Sequence, residues 1–449
     1  MTEEASSIAL VVLDTLRKDH FDRHFDWLPG RRFENTYSTS QWTVPAHASL
    51  FTGMYASELG VHSKNLHFNC SNKSIAEILS EHGYTTRAFS ANPNVSGHFD
   101  FDRGFNLFES PSEFRHLNSD QIVNWQSFVD TSPYSGFSLY AHGILECIRG
   151  EWKTIESIKS GIRQVLKDES IKNPGGTQEG TRWVRQQEFS GSEFLFMNLM
   201  EAHEPYEAPE EYLREDSPEL TNSVGDLSFE DNSADRINQN KIQEAYDSCV
   251  RYLSDQYQQL FAELSDSFDY IITLADHGEM LGEHNAWGHE HGVYPELIHV
   301  PLVISGEGLS GRCDNAVSLV DVYTTILELA GIDHSYTSRG QSLLNTDKER
   351  DILAEYTGLT PWSEERLQES DYSDSLVDKY DEKLYAVATP DGSYAYQTGE
   401  GINVTGEEID DPEERIQRIV RDLDTRDVDD QDDDIPDDVR QQLKDLGYA

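Results

Sequence analysis

The chain has 449 residues, 37% of them hydrophobic, and a formal net charge of −48 from 83 acidic against 35 basic side chains. That apolar fraction supplies a packed core and excludes a wholly disordered chain. The charge excludes a surface built to hold nucleic-acid phosphates or anionic lipid.

The opening MTEE is followed closely by SIALVVL (7–13), an apolar, β-branched run that predicts a buried parallel strand. This leaves no room for a signal peptide, so a cytoplasmic protein is expected. PAHASLFTG (45–53) predicts a short helix with Pro45 near its start and Gly53 as its stop. SIAEILSEHG (74–83) predicts an amphipathic helix, and TTRAFSA the strand after it. Residues 110–190 are polar, lack a sheet pattern and predict a helical insertion. EFLFMNLM (193–200) predicts a buried strand and 236–264 a long helix. FDYIITLAD (268–276) and HVPLVISG (299–306) predict two more strands, and DVYTTILELAG (321–331) a helix. KLYAVATPDGSYAYQTGEGINVT (383–405) alternates and turns at Pro390-Asp391-Gly392, which predicts antiparallel strands. The acidic stretch 406–438 is expected to be loosely ordered, and VRQQLKDLGYA to end the chain as a short helix. Strands alternating with helices argue for an α/β fold with a mainly parallel central sheet covered on both faces. We expect a domain over 1–335, carrying the insertion, and a small C-terminal antiparallel subdomain with an acidic tail over 336–449.

Candidate chemistry gathers where such a sheet places its site, beyond the carboxyl ends of its strands. Asp14 ends the first strand, Asp276-His277 ends FDYIITLA, and His203 follows EFLFMNLM. An Asp at a strand end is most often a turn residue. Three such positions in α/β order favour a site instead. Carboxylates with an imidazole suit a divalent cation such as Ca, Mg, Mn or Zn. Thr43 lies just before the helix PAHASLF, where N–H groups and the helix dipole favour an anion. A hydroxyl there, touching a metal, can ionise and attack phosphorus or sulfur. The bland alternative is a Thr N-cap.

The run TVPAHASLFTGMY resembles the sulfatase signature, C/S-x-P-x-R followed by a small-residue helix and TG. LVVLDTLRKDH resembles the first metal strand of that family, and ITLADHGEMLGEHNAWGHEHGVYPELIHVPLVI its second metal segment. MEAHEPY, SLVDVYTTILELAGI and the terminal LGY also fit in family order. The resemblance places the chain in the alkaline phosphatase superfamily and implies an alkaline-phosphatase-like sandwich. It implies Asp14, Thr43, Asp276 and His277 around the metal and His203 at the transferring group or leaving oxygen. His289 stands near the family's anion-holding lysine, with His291 beside it, and His47 stands at the signature arginine. Glu201 and Asn92 are second-tier candidates, and His284 a ligand only for a second metal.

Two departures shape the expected reaction. Sulfatases use a formylglycine made from Cys or Ser, which Thr43 cannot give, and the sites read Asp14-Thr15 and Asp276-His277 where many members have Asp-Asp and Asp-Asn. This looks like the phosphodiesterase and phosphoglycerol-transferase branches, so phosphodiesters and phosphomonoesters are favoured over sulfate esters. The alternatives are a head-group transferase and a non-catalytic binding protein with a decayed site. The expected partner is a small-molecule, glycan or lipid ester, with no nucleic acid and no membrane span; the oligomeric state is left open.

Cys70, Cys147, Cys249 and Cys313 lack metal-type spacing and read as reduced thiols. Acidic residues run through the whole chain and Lys is scarcer than Arg, which suits folding in concentrated salt, where self-repulsion is screened. A halophilic protein should melt at a higher temperature in molar than in dilute KCl. Equal melting temperatures would reject that reading.

Overall fold

The computed structural model describes residues 6–426 apart from 166–174, 214–238, 370–376 and short stretches between 112 and 151 and at 334–335, 346–347 and 378. Its centre is an eight-stranded sheet. In chain order the strands are β1 (Ile8–Leu13), β2 (Arg31–Tyr37), β3 (Thr85–Ser90), β4 (Leu107–Glu109), β5 (Glu193–Leu199), β6 (Tyr270–Leu274), β7 (His299–Gly306) and β8 (Gly311–Ser318). They lie in the spatial order β8-β2-β7-β6-β1-β5-β3-β4. Only β7 opposes its neighbours; the remaining pairs are parallel. All six residues of β1 are buried, because helices cover both faces of a parallel sheet and an apolar run satisfies both.

Flanking helices include α1 (Lys18–His24), α2 (Thr43–Thr52), α3 (Ile75–Glu81), α4 (Phe137–Arg149), α5 (Thr154–Val165), α6 (Thr177–Val184), α7 (Gln239–Ser265) and α8 (Val320–Leu329). Helix α2 begins at Thr43 itself, with Trp42 as its cap residue, so Thr43 is the first helical residue rather than the N-cap. Gly53 ends the helix at φ 69°, a conformation that favours glycine. The described residues of α4, α5 and α6 are the helices within 110–190.

A second sheet is antiparallel: β9 (Ile352–Tyr356), β10 (Leu384–Ala388), β11 (Tyr394–Thr398) and β12 (Gly401–Thr405), paired in that order. The expectation of loose order over 406–438 fails at its start. Helix α9 (Pro412–Asp422) opens with Pro412 at a position that needs no N–H, and the Asp411 side chain accepts from Glu414 N. Ile416 is fully buried and packs in one cluster with Leu353, Val387 and Ala395 of the second sheet. The dense acids of this stretch mask that apolar face. The C-terminal helix expected over 439–449 lies outside the described residues.

All four cysteines are free and buried. Among the described residues, no helix is long and apolar enough to cross a membrane.

Candidate active site

Because the strands bearing the site run the same way, their carboxyl ends converge. Asp14 follows β1 and turns away through Thr15, whose φ is +57°. Tyr246 of α7 steadies this turn: its hydroxyl donates to the Thr15 carbonyl (2.8 Å) and accepts from Arg17 N (2.9 Å). Asp276-His277 follows β6. Gly278 then passes so close to the Glu296 carbonyl that any Cβ would collide with it, which explains the glycine of the DHG turn.

Each carboxylate has one oxygen tied and one left open. Asp14 Oδ2 accepts from the amides of Asn92 (2.8 Å) and Asn198 (3.0 Å). Asp276 Oδ1 accepts from His277 N (3.0 Å) and Thr15 N (3.3 Å). The other oxygens, Asp14 Oδ1 and Asp276 Oδ2, are buried with no hydrogen-bond partner. They stand 3.7 and 3.5 Å from His277 Nε2. His277 Nδ1 donates to the Gly278 carbonyl (2.9 Å), so Nε2 carries its lone pair toward them. Among the described residues these three side chains form the group that could hold a metal, with donor atoms all within 4.8 Å of one another. Two orphaned carboxylate oxygens and an imidazole lone pair, all fully buried, fit a divalent cation.

The electrostatics agree. Burial, reinforced by the neighbouring Asp276 charge, raises Asp14 to about 6, and burial raises Asp276 to about 7. Burial lowers His277 to about 3 and keeps it neutral. A bound cation must displace the carboxyl protons. Affinity for Mn2+ should therefore rise as pH rises through about 6 to about 7 and release protons. Calorimetric titrations in buffers of different ionisation enthalpy check this; affinity independent of pH in that range would count against the assignment.

Thr43 reaches the same point. Its Oγ1 lies 3.2 Å from Asn92 Nδ2 and 3.4 Å from His277 Nε2. Asn92 Oδ1 accepts from Asn94 N (2.9 Å), which fixes the amide so that its N–H groups face Asp14 and Thr43. His203 and His289 complete the cluster, with ring centroids 5.1 Å apart and His289 4.7 Å from His277. His203 Nδ1 donates to the Glu204 carbonyl (2.6 Å), and His289 Nδ1 pairs with Glu279 Oε1 at 3.0 Å. Each ring thus has Nδ1 anchored, which fixes its orientation beside His277.

Other candidates lie elsewhere or act differently. His47, on α2, is fully buried: Nδ1 donates to the Thr43 carbonyl (2.9 Å), and Nε2 accepts from Asn198 Nδ2 (3.2 Å). Phe51, Phe101 and Phe196 ring it edge-on, and burial lowers it to about 3. His291 packs on Tyr380, centroids 4.5 Å apart. His284 is exposed, stacked on Tyr294, and is not in the metal-donor group. Glu201 accepts from Thr177 N (2.7 Å) and Oγ1 (2.6 Å), anchoring the start of α6. Asn198 and Glu279 are additions that the sequence reading missed. A lone amide inside the apolar run FLFMNLM was the available sign of the first.

With this geometry in hand, the sulfatase family model matches residues 20–332. The chain belongs to the sulfatase family. The sulfatase YidJ of Escherichia coli (strain K12), itself uncharacterised, is 22% identical over 348 residues, covering 73% of this chain and 66% of its own length. Choline-sulfatase of Rhizobium meliloti (strain 1021) is 24% identical over 331 residues, covering 67% of this chain and 60% of its own length. The chain thus spans less than two thirds of these curated relatives. A phosphonate monoester hydrolase from Silicibacter pomeroyi superposes with a TM-score of 0.56 at 18% identity, over 93% of this chain and 94% of that one. That likeness shows that the two chains share a fold.

Proposed function

We propose that this sulfatase-family protein is a metal-dependent hydrolase of phosphate or sulfate esters, phosphate esters favoured, with Thr43 as nucleophile. The observation that carries it is the place of Thr43 Oγ1, within hydrogen-bond reach of Asn92 and His277 and beside the two open carboxylate oxygens. A divalent cation held by Asp14, Asp276 and His277 would lower the hydroxyl pKa and neutralise charge on the ester. Thr43 Oγ1 bonds to phosphorus or sulfur as the bond to the leaving oxygen breaks, and water then cleaves the Thr43 ester. Burial holds His203 at about 3, so it enters neutral. An anionic ester beside His203 favours its protonated form, which can donate to the leaving group, and His289 stands beside it to contact an ester oxygen.

Thr43 is the reason for preferring phosphate. A hydrated aldehyde can expel its sulfate ester, whereas a plain Thr ester must be hydrolysed, which phosphorus allows more readily than sulfur. The reading takes 1–335 as the catalytic domain and 336–449 as the smaller one. The test is turnover of aryl phosphodiester, phosphomonoester and sulfate ester substrates by the metal-loaded protein. Hydrolysis of none of the three overturns the reading, and a rate greatest on the sulfate ester overturns the phosphate preference.

A further inference from the structure

We infer that Asn198 is a positioning residue, which aims the Asp14 carboxylate at the metal and locks it to the helix that carries Thr43. This rests on the metal-dependent reading above. Asn198 occupies β5, in register with Val12 of β1, two residues before Asp14. Every residue of β5 is buried, and its neighbours are Met197 and Leu199. An amide in such a place costs free energy unless its polar atoms are bonded. Its Oδ1 has no partner, so the position is not optimised for stability. All of its bonding goes through Nδ2, which donates to Asp14 Oδ2 (3.0 Å) and to His47 Nε2 (3.2 Å).

Those two bonds have definite effects. A carboxylate rotates about its last bond, so either oxygen of Asp14 could otherwise face His277. Asn198 and Asn92 approach the same oxygen and hold it, leaving Oδ1 toward the ligand group. Asn92 also reaches Thr43 Oγ1 directly. Asn198 reaches the same helix from beneath, since His47 Nδ1 donates to the Thr43 carbonyl. The amide therefore connects a metal ligand on β1 to the first turn of α2 through one imidazole. Partners of this kind set ligand orientation, and their loss typically costs about 10–100-fold in metal affinity.

Titration of the metal-free protein with Mn2+, counting free ion by EPR, tests this without any ester. Asn198→Leu keeps the volume and removes the donor; its Mn2+ affinity should fall about 10–100-fold relative to wild type. Asn198→Ser, with a single shorter donor, should fall by a smaller factor. At saturating Mn2+, kcat should drop in both variants while KM for the ester holds, since the amide does not touch substrate. A folded Asn198→Leu with wild-type affinity overturns the inference and leaves the hydrolase reading standing. If Asn198→Leu does not fold, wild-type affinity in Asn198→Ser does the same. A wild-type protein that takes up no Mn2+ overturns the metal-dependent reading and this role together.

Discussion

Thr43→Ala should lower turnover of the best ester substrate by about three to five orders of magnitude, because water must replace an oriented nucleophile. The fold should hold, since Thr43 is not the N-cap of α2 and its carbonyl, which accepts from His47, is untouched. Thr43→Ser should keep part of the rate, because the oxygen remains. Thr43→Cys, co-expressed with a formylglycine-generating enzyme, should shift preference toward sulfate esters. Quenching the wild-type reaction and mapping phosphate by mass spectrometry should find it on Thr43. A Thr43→Ala enzyme with near wild-type rate and no covalent species would mean direct attack by water, and Thr43 would be only the first residue of a helix.

Asp276→Asn should abolish turnover and weaken Mn2+ binding by more than about 100-fold, beyond the loss typical of an outer-shell change. The argument lies in the division of labour at this carboxylate. Oδ1 is held by His277 N and Thr15 N, and an amide oxygen can accept both bonds. Oδ2, the open atom, would become an NH2 group that cannot bind a cation. Without metal the sign of the stability change reverses. Asp276 is buried near Asp14, and burial works against its charged form. Removing that charge should make metal-free Asp276→Asn melt higher than metal-free wild type at about pH 8, while added Mn2+ stabilises only the wild type. Calorimetry with and without Mn2+ reads both signs. Stoichiometric, wild-type-like binding in the variant would remove Asp276 from the ligand set.

What was legible in the sequence follows from burial. Strands β1, β5, β6 and β7 are central in the sheet, so their apolar runs announce them. RRFENTY and GRCDNAVS did not read as strands, yet form β2 and β8 at one side of the sheet, where polar positions stay partly exposed. ILAEY hid in the same way, because Glu355 is buried in β9. The site was legible wherever a strand ended in Asp or Asp-His, and Thr43, His203 and His289 do meet there. His47 and His291 were harder to place, since a histidine in a motif gives no sign of which way its ring turns. Phenylalanines on three sides turn His47 inward, and Tyr380 receives His291. Asn198 was passed over because periodicity counts an isolated polar residue in an apolar run as noise.

The place of β1 has a consequence for synthesis. Of the strands in the central sheet it is synthesised first, yet both of its neighbours come late: Ile8 pairs with Phe194 and with Tyr270. At about 5–20 residues per second, the second partner follows roughly ten seconds to a minute later. Until β5 emerges six fully apolar residues have neither edge paired, one edge then stays open until β6 follows, and parallel pairing across such separations is slow to close. Asp14 cannot meet Asp276 before then. Slowing elongation, or depleting the chaperones that shield nascent apolar segments, should therefore divert this chain into aggregates in proportion to the time β1 waits. Fragments ending before residue 270 should be the most insoluble products.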